Sequence, residues 1–442
     1  MSVLPRPYTQ YVYGYPHKTA YRALDPSVSL RALWHEHFAQ SSLRRDALFL
    51  YVHIPFCEMR CGFCNLFTTV RPAGDLEARY VTQLLAQAQV VRDCLGDVRI
   101  ARMAVGGGTP TWLAPDQLQR VFSQIESIYG FEVSTAQCSV ETSPETATDD
   151  RLAVLEHYGV SRVSIGVQTF DESESKRIGR PQRTEAVCAA LDRIRAHSFE
   201  TLNIDLIYGI PDQTAREWQA NLRRALQWDP EEIYLYPLYV RPLTGLMRNP
   251  RSWDDERLAR YREGRDWLVA NGYTQRSMRM FSRTNRMQRA RESTDIYRCE
   301  HDGMVGLGCG ARSYTPSLHY SEEWAVRSSS VREIIDAYVR REPDTFAHAR
   351  YGFSLSDSEQ LHREVILSLL SEAGLADAVL QRDTAHHDAI RQSFFSLESE
   401  RLIALQGPLW RLTAEGLAHS DAIGPWLFSQ HVQRAMEDFT LR

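Results

Sequence analysis

The chain has 442 residues, of which 43% are hydrophobic and 24% are charged, and its formal net charge is −5. This composition is typical of a globular protein and excludes a disordered or fibrous chain, while the near balance of charge gives no bulk attraction for a nucleic-acid backbone. No stretch approaches the roughly 20 apolar residues that cross a bilayer, and the N-terminus shows no signal-peptide pattern. We therefore expect a cytoplasmic protein without membrane attachment.

Composition and periodicity divide the chain into four predicted segments, since a single core seldom grows past about 250–300 residues. An N-terminal arm at 1–45 precedes a barrel domain at 46–250. A barrel extension on the substrate side follows at 251–350, and a small helical domain resembling a winged helix ends the chain at 351–442. The arm carries an aromatic-rich run at 7–21, which is either a lid over a substrate or a strap over the barrel.

From residue 46 to about 240, short β-branched or aromatic runs alternate with longer amphipathic stretches, as in repeated strand–helix units around a parallel sheet. The predicted strands are Leu48–Ile54, Arg99–Val105, Gln137–Thr142, Arg162–Val167, Leu202–Tyr208 and Glu232–Leu238. The predicted helices between them lie at 75–95, 115–129, 147–158, 172–196 and 214–227, with Asp116, Thr146 and Thr214 as candidate caps. Right-handed crossovers turn such a series into an open doubly wound sheet or a complete or partial barrel.

The placement of unusual residues favours the barrel. A cysteine cluster follows the first predicted strand and a glycine run follows the second, while Glu141, Gln168 and Asp205 lie toward the ends of the next three. In barrel enzymes the rim at the carboxyl ends of the strands carries the chemistry. We therefore expect an α/β chain with a partial (βα)6 TIM-like barrel and a small C-terminal helical, winged-helix-like domain.

Three of the eight cysteines, Cys57, Cys61 and Cys64, lie within eight residues directly after the first predicted strand. Reduced thiols this close together indicate a metal site, with zinc or an iron–sulfur cluster as the occupant. A structural zinc site needs a fourth protein ligand, and the nearby sequence supplies none. A cubane held by only three cysteines leaves one iron open for a substrate or cofactor. The odd count therefore favours the cluster, with a zinc-stabilised scaffold as the alternative.

The C-x3-C-x2-C spacing after the first strand resembles the signature of the radical S-adenosylmethionine superfamily. Other stretches are similar to its oxygen-independent coproporphyrinogen III oxidase branch, which includes heme chaperones and methylase or cyclopropanase relatives. These stretches are Tyr51–Cys57, Gly106–Thr111, Ser139–Glu141, Ser164–Gln168, Asn203–Pro211, Gly306–Gly310 and, near the end, Leu412–Gly416.

This resemblance implies a [4Fe-4S] cluster on the three cysteines, with S-adenosylmethionine on its open iron and reductive cleavage to a 5′-deoxyadenosyl radical. It also implies that S-adenosylmethionine is contacted by Tyr51, Phe63, Gly106, Gly107, Gly108, Thr109, Glu141, Gln168, Arg180 and Asp205. Strand-end carboxylates accept hydrogen bonds from hydroxyl groups, and an arginine can bind a carboxylate through two parallel bonds. Structural roles remain as alternatives: Phe63 anchoring its loop, Tyr51 packing in the core, and the charged side chains pairing with one another.

The resemblance leaves the reaction and its partners open. It implies hydrogen abstraction from a small-molecule or peptide substrate, with an electron donor of the flavodoxin or ferredoxin type. Methyl or alkyl transfer with a second S-adenosylmethionine and a non-catalytic heme chaperone are the alternatives. Porphyrinogen oxidases carry a fourth cysteine two positions after the third, where this chain has Leu66. The decarboxylase activity is therefore the least transferable part of the resemblance.

Two further features bear on partners. Six arginines at positions 276, 279, 283, 286, 289 and 291 are either an anion-binding group or a solvated charged face. The winged-helix-like end lacks the basic cluster with interleaved aromatics that nucleic-acid binding requires. We therefore expect no nucleic-acid partner.

Overall fold

The computed structural model describes residues 4, 6–11, 14–40, 48–72, 74–240, 243–248, 254–283, 303–381 and 385–440. The strands are β1 (Arg22–Ala23), β2 (Leu48–Ile54), β3 (Phe56–Cys57), β4 (Thr69–Val70), β5 (Ile100–Gly107), β6 (Gln137–Thr142), β7 (Arg162–Gln168), β8 (Thr201–Tyr208), β9 (Glu232–Pro237), β10 (Tyr273–Gln275), β11 (Met280–Arg283), β12 (Met304–Leu307), β13 (Arg312–Tyr314), β14 (Leu318–Ser321), β15 (Tyr351–Ser354), β16 (Leu375–Ala376), β17 (Ile403–Gln406) and β18 (Leu409–Leu412). The helices are α1 (Leu30–Ala39), α2 (Leu76–Leu95), α3 (Pro115–Tyr129), α4 (Asp149–His157), α5 (Glu172–Arg177), α6 (Thr184–Ala196), α7 (Ala215–Ala225), α8 (Asp254–Ala270), α9 (Ser328–Tyr338), α10 (Asp357–Leu369), α11 (Asp377–Leu380), α12 (Ala385–Ser399), α13 (Ala414–Ala418), α14 (Ser420–Trp426) and α15 (Gln430–Glu437).

Parallel strands form the centre of the molecule in the order β12-β2-β5-β6-β7-β8-β9. Antiparallel strands extend the sheet beyond both ends of this series, through β13 on one side and β11 on the other. The two end strands of the parallel series do not pair with each other, because β12 pairs with β13 and β9 with β11. The barrel is therefore partial. The predicted α/β partial barrel is confirmed, and β12 adds a parallel strand that the sequence pattern did not predict.

The central strands separate apolar from polar side chains by simple alternation. In β2, Leu48, Leu50 and Val52 are fully buried and belong to the main core, which also contains the apolar sides of the surrounding helices. The residues between them point to the opposite, concave face, as do Ser164 in β7 and Asp205 in β8. The outer face of the sheet therefore supplies the core, and the inner face is left for polar groups.

The predicted helices agree with the structure apart from their ends. The stretch at 172–196 is two helices, because Gly179 between them has φ +65° and Pro181 follows it. Thr214 caps α7 with a capping box completed by Glu217, as predicted. The caps proposed at Asp116 and Thr146 are wrong, because the cap positions of α3 and α4 are Ala114 and Thr148. None of the helices that the structure describes is long and apolar enough to cross a bilayer.

The C-terminal region has a separate core built from α10, α12, α14 and α15. The leucine-rich stretch before α13 is the hairpin β17–β18, which pairs with β16 in a small antiparallel sheet and resembles a wing. Tyr15 and Tyr21 of the N-terminal arm are fully buried in this second core. Part of the arm is therefore packed into the C-terminal region and is not a free lid. The proposed domain boundaries remain predictions.

Candidate functional site

The cysteine loop leaves the barrel directly after β2. Its two ends are held together by the parallel pairing of β3 with β4, and the Thr69 amide donates a hydrogen bond to the Pro55 carbonyl at 2.7 Å. The Gly108 and Thr109 amides donate to the carbonyls of Ile54 and Phe56 at 2.8 and 2.7 Å. The loop is thereby fixed to the ends of β2 and β5, at the carboxyl rim of the barrel.

Each of the three thiols lies next to a different polar side chain. Cys57 Sγ is 3.4 Å from the Thr109 hydroxyl, and Cys61 Sγ is 3.5 Å from Arg180 Nη1. Cys64 Sγ is 4.0 Å from the Thr68 hydroxyl. Burial raises the pKa of Cys57 to about 12 and also raises that of Cys61, and a bound cation would favour the thiolate form of both.

The donor set fits an iron–sulfur cluster. Throughout the described part of the chain, no three Cys, His, Asp or Glu side chains converge as the ligands of one metal ion do. In a cubane each thiolate bonds a different iron, so three separate sulfur positions on one loop suit it. Cys57, Cys61 and Cys64 would hold such a cluster, with one corner left without a protein ligand.

The glycines after β5 are required by close protein contacts. A Cβ on Gly108 would lie 2.5 Å from the Phe56 carbonyl oxygen and 2.9 Å from Cys57 Sγ. A Cβ on Gly107, whose φ is +120°, would lie 2.7 Å from the His53 ring. Only glycine lets β5 come this close to the cysteine loop. The glycine run therefore positions Cys57 as well as offering backbone groups to a ligand.

A second backbone contact connects the cysteine loop to Arg180. The Gly62 amide donates to the Gly179 carbonyl at 3.0 Å, and a Cβ on Gly62 would lie 2.6 Å from the Ile178 carbonyl oxygen. Arg180, directly after this contact, donates from Nη2 to the Gly166 carbonyl at 2.9 Å and from Nη1 to Cys61 Sγ. Its guanidinium is therefore held between β7 and the cysteine loop.

Tyr51 and His53 project from the inner face of β2 as a hydrogen-bonded pair. Burial lowers the pKa of His53 to about 4, so the ring is neutral. Its Nε2 lies 3.2 Å from the Phe67 carbonyl oxygen and donates to it, which leaves Nδ1 to accept from the Tyr51 hydroxyl at 3.3 Å. His53 thus has a structural role, while the partly exposed Tyr51 stays on the inner face of the barrel.

Glu141 and Asp205 bring two carboxyl groups to the interior of the barrel. Glu141 accepts a hydrogen bond from the Gly107 amide at 3.0 Å, and Asp205 accepts one from Asn203 Nδ2 at 2.7 Å. Burial raises the pKa of both, that of Asp205 to about 7, although the Glu141 side chain remains open toward the interior. Two carboxyl groups with raised pKa values facing one space indicate a binding site.

Below these carboxyl groups lies an ion pair that the sequence analysis missed. Arg162 donates from Nε to Glu232 at 2.8 Å and from Nη1 to the Ser139 hydroxyl at 2.9 Å. Its charge lowers the pKa of both Glu141 and Asp205, against the larger effect of burial. The signal was available, because alternation places residue 162 on the same strand face as Ser164.

Gln168 and Phe63 take different positions around the site. Gln168 ends β7 with φ +69°, at an irregularity in the pairing with β8, and its amide folds over Gly166. Phe63 packs against a small apolar cluster that includes Ile178 and Ile210. This contact favours the anchoring role for Phe63. The role of each predicted S-adenosylmethionine contact remains a prediction, although the structure gathers most of these residues around one interior.

The arginines of the 276–291 stretch that the structure describes form ion pairs. Arg279 is buried and pairs with Asp421, Arg276 pairs with Glu372 at 2.9 Å, and Arg283 pairs with Asp229. For Arg279, the alternative of a solvated face is wrong, because the side chain is buried between the barrel and the C-terminal region. The arginines at 286, 289 and 291 lie outside the described residues.

The chain is similar to several known proteins. Residues 51–225 match the family model of the Radical SAM superfamily. The chain contains a radical SAM domain. The cofactors of such a domain are a [4Fe-4S] cluster and S-adenosylmethionine, as the resemblance implies.

Two named relatives extend the similarity beyond the radical SAM domain. The heme chaperone HemW of Bacillus subtilis is 26% identical over 335 residues, covering 74% of this chain and 84% of the relative. The oxygen-independent coproporphyrinogen III oxidase of Bradyrhizobium diazoefficiens is 27% identical over 379 residues, covering 81% of each. The solved structure of coproporphyrinogen III oxidase (HemN) from Escherichia coli matches 94% of this chain and 96% of its own, with a TM-score of 0.76 at 23% identity. This last match establishes the fold.

Proposed function

We propose that the chain is an enzyme that cleaves S-adenosylmethionine reductively and uses the resulting 5′-deoxyadenosyl radical to abstract hydrogen from an organic substrate. The observation that carries this proposal is the position of the three thiols. They lie on one loop at the carboxyl rim, next to Arg180 and to the glycine run that hydrogen-bonds Glu141. The cluster would supply the electron for cleavage of the sulfonium.

The residues of the chain would bind and orient S-adenosylmethionine against that rim. Arg180 offers its guanidinium to a carboxylate beside Cys61, because bidentate pairing suits this chemistry. Asp205 and Glu141 offer acceptors for hydroxyl groups and negative charge for a sulfonium. The apolar outer face of β2 and β7 is fully packed, so these strands present the site toward the concave side.

Anaerobic reconstitution with iron and sulfide, followed by dithionite and S-adenosylmethionine, tests the proposal. We expect 5′-deoxyadenosine from the wild-type protein and none from Cys61→Ala, because the variant loses one of three cluster ligands. Cluster-loaded wild-type protein that releases no nucleoside would contradict the proposal. Metal analysis of anaerobically purified protein distinguishes iron from zinc.

A heme carrier is the second candidate function, and two observations favour it. Relatives named heme chaperone HemW align over about three quarters of this chain, and Leu66 stands where porphyrinogen oxidases have their fourth cysteine. Stoichiometric heme uptake without turnover would support this candidate over the enzyme. If turnover occurs, S-adenosylmethionine labelled in its methyl group separates methyl transfer from simple hydrogen abstraction.

A further inference from the structure

The cysteine loop contains one acidic side chain, Glu58, which directly follows Cys57. The Thr109 hydroxyl lies 3.3 Å from Glu58 Oε2 and 3.4 Å from Cys57 Sγ, so it is shared between a carboxylate and a sulfur. Thr109 itself is buried, and its amide is fixed to the Phe56 carbonyl. The hydroxyl therefore cannot move away from both partners, and its single proton can serve only one of them at a time.

The other two sulfurs have simpler surroundings. Cys61 faces the Arg180 guanidinium at 3.5 Å, and Cys64 has the Thr68 hydroxyl at 4.0 Å, the longest of the three separations. No carboxylate shares a hydrogen-bond donor with either sulfur within the residues that the structure describes. The Cys57 corner is thus the place where a negative charge competes with a thiolate for one hydroxyl proton.

We propose that Glu58 and Thr109 together set the reduction potential of the cluster through the sulfur of Cys57. This inference rests on the proposed function, because it requires a cluster on the three cysteines. Neither residue is a ligand of the cluster. Thr109 acts through Cys57, and Glu58 acts through its charge and through Thr109, so both are positioning residues.

The direction of each effect follows from charge. Reduction adds one electron to the cluster, and a nearby carboxylate disfavours that added negative charge, so Glu58 lowers the potential. A hydrogen bond to a thiolate stabilises the reduced cluster and raises the potential. Because Glu58 also attracts the Thr109 proton, it lowers the potential a second time by weakening the bond to Cys57. The two residues therefore act in opposite directions on the same sulfur.

A reductive titration of the reconstituted, full-length protein tests this proposal. Dithionite supplies one electron per cluster in the presence of redox mediators, and the reduced cluster is counted by electron paramagnetic resonance. We expect the midpoint potential of Glu58→Gln to move to a more positive value, and that of Thr109→Val to a more negative one. Thr109→Ser restores the hydroxyl and should restore the wild-type midpoint. Glu333→Gln, on the exposed side of α9, is the matched control for removing one charge and should leave the midpoint unchanged.

Iron per chain is measured for every variant, since a structural role would change cluster content and not potential. Fully loaded variants with the wild-type midpoint, or with shifts in the same direction, would overturn the inference. Iron loss in Thr109→Val that Thr109→Ser does not repair would also overturn it. If the wild-type protein itself assembles no cluster, the proposed function fails instead, so the two failures are distinguishable.

Discussion

The rim that carries the cysteines is held together by one kind of contact, and the opposite wall of the barrel by another. At the rim, glycine backbones lie directly against other backbones, as Gly108 does against Phe56 and Gly62 against Ile178. At the far wall, formed by β8, β9 and the segments packed on them, long polar and aromatic side chains make the contacts. Backbone contacts allow little change of shape, whereas side-chain contacts can be altered one at a time. The rim is therefore expected to be rigid, whereas the contacts of the far wall can be tested by changing one side chain at a time.

The far wall is centred on Asp421 of α14. Its buried carboxylate accepts hydrogen bonds from Arg279 and from the Tyr239 hydroxyl. Its backbone carbonyl accepts from the amides of Thr9 and Gln10 in the N-terminal arm, at 3.2 and 3.0 Å. One residue of the C-terminal region thus connects the barrel extension, the end of β9 and the arm.

The largest effect is expected from removing a cysteine of the rim. Cys61→Ala should abolish the brown chromophore of the reconstituted protein, because two thiolates cannot hold the cluster that three hold. Cys94→Ala is the matched control. Cys94 lies in α2 and is buried in the main core, so its substitution should leave the chromophore intact. Iron content and visible absorption measure both. Equal losses from the two variants would contradict the ligand assignment.

Adding one methyl group to the rim is expected to have nearly as large an effect. Gly108→Ala forces a Cβ to within 2.5 Å of the Phe56 carbonyl oxygen, so the cysteine loop has to shift and most of the cluster should be lost. In Gly130→Ala a Cβ meets nothing within 4 Å, and only the positive φ of +67° opposes it. That control should lose about 1 kcal/mol of stability and keep its iron. Wild-type iron content in Gly108→Ala would show that the loop tolerates movement.

The far wall should lose stability without losing the cluster. Asp421→Asn leaves the Arg279 guanidinium buried without a charged partner, which typically costs about 3–5 kcal/mol. Chemical denaturation measures that loss, and faster proteolysis of the N-terminal arm would show that the arm has detached. Asp388→Asn breaks the exposed Asp388–Arg391 pair and should cost less than about 1 kcal/mol. If Asp421→Asn lowers iron content as much as Gly108→Ala, the two regions are not independent.

The rim was predictable from sequence, because its contacts are local. The three cysteines, the glycine run and the strand-end carboxyl groups each lie beside a strand that alternation reveals. The strand β12 was missed because its four residues, Met304–Leu307, merge into the glycines that follow. Its pairing with β2 joins segments about 250 positions apart in the printed sequence, and no local pattern predicts such a pairing.

The far wall was not predictable, since its partners are distant in sequence. Arg279 and Asp421 are 142 positions apart, and each looks like an ordinary charged residue in its own segment. Arg162 and Glu232 are intermediate cases: alternation gives their side of the sheet, but only the packing of β7, β8 and β9 shows that they pair.

The smallest expected effect concerns Asp205, which lies in the middle of the barrel. Burial raises the pKa of Asp205 to about 7, opposed by Asn203 and Arg162 and assisted by Glu141 and Glu232. In the proposed contact with S-adenosylmethionine, the positive sulfonium favours the ionised form of Asp205, so binding below about pH 7 would be coupled to loss of a proton.

We therefore expect the affinity of the cluster-loaded protein for S-adenosylmethionine to rise with pH and to level off above about 7. One titrating group gives at most about a tenfold change per pH unit. Isothermal titration calorimetry between about pH 6 and 8 measures the slope. Asp205→Asn should bind more weakly but with a flatter profile, whereas Asp388→Asn should keep the wild-type profile. An unchanged slope in Asp205→Asn would show that Asp205 is not the titrating group.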